Sequence, residues 1–204
     1  HDHPHRRTTN TLCSSVGTDL SIYPILKTVS VHYRGENSND GFRFVRYPDG
    51  YRFGRKPALQ AFQFNDKYGH LQLQMIGVRA EVHGVNFWFR DDGNDYYDGH
   101  ADVVQLPFGT WYGQGKAIHS SNGNHCVAST KRIHEGQCTR TAVLRGYSLE
   151  YLMNARRRVN HMKVRVKTYY SSGECRVLLE SCLGDWNHDD PFEAWVYFCL
   201  LHTS

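Results

Sequence analysis

Apolar and polar residues alternate with a period of two along most of the chain, as in β-strands that bury one face. In HLQLQMI, Leu71, Leu73 and Met75 fall on one face and two glutamines on the other. The alternation continues through GVRAEV, and the apolar positions then change parity at His83-Gly84. A change of parity at a glycine predicts a bulge or a turn there.

Turn-forming clusters separate the alternating segments, which indicates many short strands. They are PDG (48–50), NDKYG (65–69), DDGND (91–95), SSNGN (120–124) and SSGE (171–174). Only SLEYLMNARR has helical spacing, with Leu149, Leu152 and Met153 behind a Ser148 cap. We therefore predict an all-β fold, a single antiparallel β-sandwich or jelly-roll domain of about ten strands with one short helix. A polar arm rich in His and Arg (1–12) precedes this domain (13–204).

The last hairpin is predicted residue by residue. The strands MKVRVKTYY and CRVLLESC join through the loop 171–174, so Tyr170 faces Cys175. The inward positions are then Val164, Val166 and Thr168, opposite Ser181, Leu179 and Val177. The outward positions are Lys163, Arg165, Lys167 and Tyr169, with Glu180 opposite Arg165 as a favourable pair.

Six cysteines, an even number, favour a secreted protein stapled by disulfides, and a chain that begins at His1 fits removal of a signal peptide or trimming. Cys175 and Cys182 differ in parity and cannot bond each other within a regular strand. The expected bridges are Cys126–Cys138, Cys175–Cys199 and Cys13–Cys182. No apolar run is long enough to predict a membrane span. We expect an extracellular location.

The segment FRFVRYPDGYRFGR (42–55) interleaves aromatic residues with arginines. A hairpin around Pro48-Asp49-Gly50 would place rings beside guanidinium groups, which suits stacking on sugars or bases. The alternative is a half-buried hairpin whose rings fill the core. The candidate ligand-binding residues are Arg43, Arg46, Tyr47, Tyr51 and Arg52.

The segment ARRRVNHMKVRVK (155–167) is the second candidate ligand-binding region. Its cations suit a sulfated or otherwise anionic glycan, phosphate or nucleic acid. A solvated strand face is the alternative. The candidates are Arg156, Arg157, Arg158, Lys163, Arg165 and Lys167.

Two segments have metal-binding potential. RDDGNDYYDGHAD (90–102) supplies the carboxylates of Asp91, Asp92, Asp95 and Asp98 near His100, and oxygen ligands suit calcium, although the spacing is not that of an EF-hand. A solvated acidic loop is the alternative. At the amino terminus, His1 and His3 with the free amine suit square-planar copper or nickel, and an adventitious tail is the alternative.

The net charge of successive segments alternates, from +4 (1–58) to −4 (59–110), +8 (111–183) and −4 (184–204). Such blocks make a dipolar surface that suits self-association. The chain has no nucleophile elbow, HExxH motif or P-loop. The first hypothesis is therefore a secreted, non-catalytic binding protein for an anionic glycan or another extracellular surface, such as a protein. The alternatives are a secreted enzyme acting on an anionic polymer with a His/Asp or metal site, and a viral-type jelly-roll structural protein contacting nucleic acid or neighbouring subunits.

Overall fold

The computed structural model describes residues 10–14, 19–34, 42–66, 71–90, 96–119, 126–134, 136–152, 157–185 and 191–201. Within these ranges the chain forms strands and one 3-10 turn at Pro48–Gly50. The strands are β1 (Asn10–Ser14), β2 (Leu26–Arg34), β3 (Phe42–Arg46), β4 (Ala58–Asp66), β5 (Leu71–Leu73), β6 (Met75–Glu81), β7 (Gly84–Arg90), β8 (Tyr96–Val104), β9 (Trp111–His119), β10 (Cys126–Arg132), β11 (Ala142–Tyr151), β12 (Arg157–Ser171), β13 (Glu174–Asp185) and β14 (Phe192–Leu200). The predicted all-β class is confirmed.

The described strands form three antiparallel sheets, which make up the sandwich. Sheet I has six strands in the order β3-β7-β6-β11-β14-β9. Sheet II has the order β1-β4-β8-β2, and sheet III has the order β10-β13-β12-β5. Sheet II lies against β3, β6, β7 and β11, whereas sheet III lies against β9 and β11, and β1 lies beside β12. Sheets II and III therefore lie side by side over the same face of sheet I.

The main core lies between sheet I and the other two sheets. It includes Phe62 of sheet II, Phe87, Leu149 and Phe198 of sheet I, and Leu179 of sheet III, all nearly inaccessible to solvent. Because the inward positions of each strand fill this core, polar and charged residues concentrate on the outer faces of the sheets. Side chains that bind a ligand are therefore expected on these outer faces.

The predicted helix around Ser148 is wrong, since Ala142–Tyr151 is β11. Tyr147, Leu149 and Tyr151 are buried, while the intervening Ser148 and Glu150 are partly exposed, so this segment also alternates with a period of two. β11 lies between β6 and β14 and hydrogen-bonds to both. Pairing on two sides outweighs the local helical spacing.

The register of the last hairpin is confirmed. Tyr170 faces Cys175, Arg165 faces Glu180 and Val166 faces Leu179. Ser172 and Gly173 form the two-residue turn, and both have positive φ (50° and 79°), as a type I′ turn requires.

The structure also explains the change of parity at His83-Gly84. Val82 and His83 form the turn between β6 and β7, and Gly84 pairs with Glu81. The prediction of a turn or bulge at this point is confirmed. The preceding strand divides at Gln74, with β5 in sheet III and β6 in sheet I.

Two of the three expected disulfides are wrong. Cys138 bonds to Cys175, and Cys199 is a buried free cysteine. The Cys175–Cys199 prediction assumed that Cys199 faces the main core, but its neighbour Phe198 does so. Cys199 instead belongs to a smaller cluster with Leu20, Leu106 and Val143.

Cys182 is also disulfide-bonded. Cys126 stands directly opposite it in the register of β10 and β13. The Cys13–Cys182 bridge stays a prediction, because the side chain of Cys13 lies outside the described part of the chain. In that same described part, no helix is long and apolar enough to cross a bilayer.

Candidate ligand-binding surface

The outer face of sheet I has a row of four positions that begins and ends with tryptophan. Trp88 of β7 pairs with Gly77 of β6, Gly77 with Ser148 of β11, and Ser148 with Trp195 of β14. Three strand spacings separate the two tryptophans, a distance of about 14 Å between their backbones. Two partly exposed indoles thus flank two small residues, Gly77 and Ser148.

The neighbouring row places a guanidinium between two of the rings. The Cζ atom of Arg79 lies 5.2 Å from the centre of the Trp88 ring and 4.8 Å from that of Tyr197. Lys116 Nζ lies 5.5 Å from the ring of Trp195. These are cation–π distances. We call the surface formed by Arg79, Trp88, Trp195 and Tyr197 the aromatic face.

Two carboxylates hold in place Arg79 and the cations beside the aromatic face. Glu81 accepts a hydrogen bond from Arg79 Nε at 2.6 Å, and its Oε1 lies 3.9 Å from Arg145 Nη2. Glu193 accepts from Trp195 Nε1 at 2.7 Å and lies 3.7 Å from Lys116 Nζ. The ring and guanidinium positions are therefore fixed before any ligand arrives.

The floor of this surface requires glycine. A Cβ atom at Gly77 would lie 2.7 Å from Ser148 Cβ and 2.9 Å from the Tyr147 carbonyl oxygen. A Cβ atom at Gly146 would lie 2.7 Å from Arg79 Cγ. The two glycines therefore leave room for Ser148 and let Arg79 lie close to the sheet.

Two cavities continue from the aromatic face toward β10, and they share Trp111 and Lys131. The smaller is about 270 Å³ and the larger about 360 Å³. We call the two together the Trp111 groove. The smaller cavity is lined by Lys56, Trp111, Tyr112, Gly113, Gln114, Lys131, Arg145 and Tyr197. The larger is lined by Trp111, Lys131, Arg132, Ile133 and His134.

Burial sets the chemistry of two groups beside the smaller cavity. It raises the pKa of the Cys199 thiol to about 12, partly offset by the charges of Arg145 and Lys56. It also raises the pKa of Tyr112 to about 12. Both groups are neutral at physiological pH, so neither cancels the positive charge of the neighbouring cations.

Sheet II carries a different surface, a polar one lined with imidazoles and carboxylates. Ser30 Oγ lies 2.9 Å from His100 Nδ1, and His100 Nε2 lies 3.4 Å from Asp102 Oδ1. His32 Nδ1 lies 2.5 Å from Asp98 Oδ1. A cavity of about 490 Å³ covers this region.

The pairs on sheet II are solvated. The side chains of His32 and Asp98 are 58% and 49% exposed, and those of His100 and Asp102 are 40% and 30% exposed. Water competes for such groups and screens their charges, whereas acid–base catalysis uses polar groups held in a site that excludes water. This surface gives the enzyme hypothesis weaker support than the aromatic face gives to binding.

The predicted metal ligands separate into two groups. Asp98 lies on β8, paired with His32, and not in a loop. Asp91, Asp92, Asp95, His1 and His3 lie outside the described residues. Among the residues the structure describes, no three His, Cys, Asp or Glu side chains are placed to hold a metal ion.

The hairpin predicted for 42–55 is wrong, because β3 pairs with β7 and the chain after the 3-10 turn forms no strand until Ala58. Tyr47 is buried, and its hydroxyl donates to the Glu81 carbonyl oxygen at 2.7 Å. Tyr51 is partly buried beneath Lys27 Nζ, 4.2 Å from the ring centre. Arg43, Arg46 and Arg52 are exposed, and their role in binding stays a prediction.

The basic segment lies on sheet III. Arg156 lies outside the described residues, and the backbones of Arg157 and Arg158 pair with Leu73 and Gln72 of β5. Three cations are exposed on the outer side of β12, and we call them the β12 face: Lys163, Arg165 and Lys167. Arg165 Nε lies 3.9 Å from Glu180 Oε1. The predicted outward orientation is confirmed.

Sequence reasoning did not identify the aromatic face or the Trp111 groove. One signal was present in the sequence: the alternation along β7 places Trp88 on the face opposite the core residues Phe87 and Phe89. The pairing of β7 with β6, and of β11 with both β6 and β14, has no comparable local signal. No protein-family model, curated protein or solved structure matches this chain.

Proposed function

We propose that this protein is a non-catalytic glycan-binding protein that holds anionic saccharides on the aromatic face of sheet I. The observation that carries the proposal is the guanidinium of Arg79 held between the rings of Trp88 and Tyr197. This arrangement combines a stacking surface with a fixed hydrogen-bond donor on one rigid sheet.

The physical basis lies in the charge distribution of aromatic rings. The face of an indole or phenol ring is electron-rich, and it attracts the weakly positive C–H groups on the flat side of a pyranose. A planar guanidinium beside the ring donates to hydroxyl, carboxylate or sulfate oxygens with fixed geometry. Since Glu81 and the two rings already position Arg79, binding orders few additional side chains.

An extracellular location is part of the proposal. Disulfides persist in oxidising compartments, and both Cys138–Cys175 and the bonded Cys182 support such a compartment. Extracellular surfaces are also where anionic glycans are presented to a binding protein.

The experiment compares wild-type protein with Trp88→Ala and Trp195→Ala by calorimetric titration of a panel of acidic and neutral oligosaccharides. We expect the affinity for the best ligand to fall at least about tenfold in each variant, because loss of a ring on which a nucleic-acid base stacks costs about 1–3 kcal/mol and we expect a comparable loss for a stacked sugar. Tyr170→Ala is the matched control, since Tyr170 is 67% exposed at the tip of the last hairpin.

Thermal melting of each variant checks that folding is retained. The proposal fails if the wild-type protein binds no saccharide, or if both tryptophan variants bind as tightly as the control. Binding of single-stranded nucleic acid through the same tryptophans, with no saccharide binding, would replace it with the nucleic-acid hypothesis.

A further inference from the structure

We infer that the Trp111 groove is the subsite for the acidic group of the saccharide, a carboxylate or sulfate, with Arg145 as its principal donor. This inference rests on the proposed function for the sugar part of the ligand. The anion site itself can be tested separately.

Arg145 owes its position to an irregularity in β11. Leu144 pairs with Phe198 and Gly146 pairs with Tyr197, so Arg145 is the extra residue of a β-bulge. A bulge redirects a side chain out of the regular alternation. The guanidinium reaches the outer side of sheet I, with its Cζ 5.6 Å from the centre of the Tyr197 ring.

One nitrogen of Arg145 is buried without a hydrogen-bond partner. The residue is only 7% exposed, and Nη1 has no partner among the described residues. Nη2 lies 3.9 Å from Glu81 Oε1, which already accepts from Arg79 at 2.6 Å. A buried charged donor without an acceptor is unfavourable, and an anion in the adjoining cavity would satisfy it.

The rest of the groove adds positive charge. Lys56 and Lys131 line the same cavity as Arg145, and Arg132 lines the cavity beyond Trp111. Among the described residues that line the two cavities there is no aspartate or glutamate. Lys131 Nζ donates to the Gln114 carbonyl oxygen at 3.0 Å, which holds this ammonium group at the rim.

The groove is continuous with the aromatic face because Tyr197 belongs to both. Its ring contacts Arg79 on one side, and it also lines the smaller cavity with Trp111 and Arg145. A sugar ring stacked on the aromatic face therefore directs an acidic substituent toward Arg145. The planar guanidinium matches the paired oxygens of a carboxylate or sulfate.

The test uses three matched oligosaccharides: one with uronic acid, one in which its carboxyl is reduced to the alcohol, and one with a sulfate ester. We expect the wild-type protein to bind the two acidic forms at least about tenfold more tightly than the reduced form. Arg145→Met should abolish that preference, because the charge-assisted hydrogen bonds to the acidic group are lost. Lys163→Met on the β12 face is the matched control and should keep the full preference.

Lys131→Met provides a second variant. Lys131 is more exposed than Arg145, so its replacement should disturb folding less, and it should reduce the preference for the acidic forms at least about threefold. A preference for acidic forms that persists in both Arg145→Met and Lys131→Met would overturn the inference, as would equal binding of the acidic and reduced forms by the wild-type protein.

Inorganic sulfate alone separates the anion site from the proposed function. Sulfate should raise the melting temperature of the wild-type protein and of Lys163→Met, but not that of Arg145→Met. That result in a protein that binds no saccharide would reject the proposed function and retain the anion site. Equal shifts in all three proteins would overturn the anion site.

Discussion

The outer faces of sheets I and III each place an arginine beside a glutamate, yet the two arginines have very different surroundings. The side chain of Arg79 is 25% exposed, lies between two rings and donates to Glu81 at 2.6 Å. The side chain of Arg165 is 50% exposed and lies 3.9 Å from Glu180. The first is held by packing, and the second is largely solvated.

This difference explains why charge alone is a poor guide to a binding surface. Water and salt weaken the interactions of the β12 face with any partner, and its long side chains lose conformational freedom on binding. On the aromatic face, the rings exclude part of the water and fix the guanidinium. The sequence has its densest run of arginines near the β12 face, but the side chains whose positions are best fixed for binding lie on the aromatic face.

The strongest test of this comparison replaces the two glutamates by their uncharged isosteres. Glu81→Gln should lower the free energy of unfolding by about 2 to 3 kcal/mol, because Arg79 and the buried Arg145 both lose a neighbouring negative charge. Glu180→Gln should change it by less than about 1 kcal/mol, as expected for an exposed pair. Chemical denaturation of both variants measures this, and equal effects would contradict the distinction.

A smaller effect is expected from the floor of the aromatic face. Gly77→Ala should destabilise the protein by about 1 to 2 kcal/mol, since the new methyl group meets the backbone of Tyr147 and Ser148. Gly54→Ala is the matched control, because no atom lies within 4 Å of a Cβ there, and it should leave stability unchanged or slightly raised. Thermal unfolding of the two variants would reveal whether the floor tolerates added volume.

The smallest effect concerns the ion pair on sheet III. A double-mutant cycle on Arg165 and Glu180 should give a coupling energy below about 0.5 kcal/mol, and it should vanish in high salt. Denaturant titrations of the two single variants and the double variant supply the cycle. A coupling above about 1 kcal/mol that persists in high salt would show that the β12 face is as well ordered as the aromatic face.

The elements predicted correctly are those specified by neighbouring residues. The hairpin of β12 and β13 follows from alternation and a Ser-Gly turn, so its register could be derived pair by pair. The turn before Gly84 follows from the change of parity. In β11, the local spacing fitted both a helix and a strand, and pairing with two flanking strands that are distant in sequence decided between them.

The candidate site was less predictable because its residues come from strands that are distant in sequence. Arg79, Trp88, Arg145 and Tyr197 meet only through the strand order of sheet I. The bulge that redirects Arg145 has no evident signal in the sequence. The segment 42–55 combined the right residue types, but its rings at Tyr47 and Phe53 were needed by the core.

The smaller apolar cluster has a consequence for the reversibility of unfolding. Cys199 is enclosed there with its pKa raised to about 12, so the folded protein holds the thiol in its unreactive form. Thiolates attack disulfides, and an unfolded chain exposes this thiol to the bridges at Cys138–Cys175 and Cys182. At alkaline pH, each unfolding event therefore allows the Cys199 thiolate to exchange with these bridges and form non-native disulfides. The lifetime of the native protein on heating is then governed by its rate of unfolding rather than by its equilibrium free energy of unfolding.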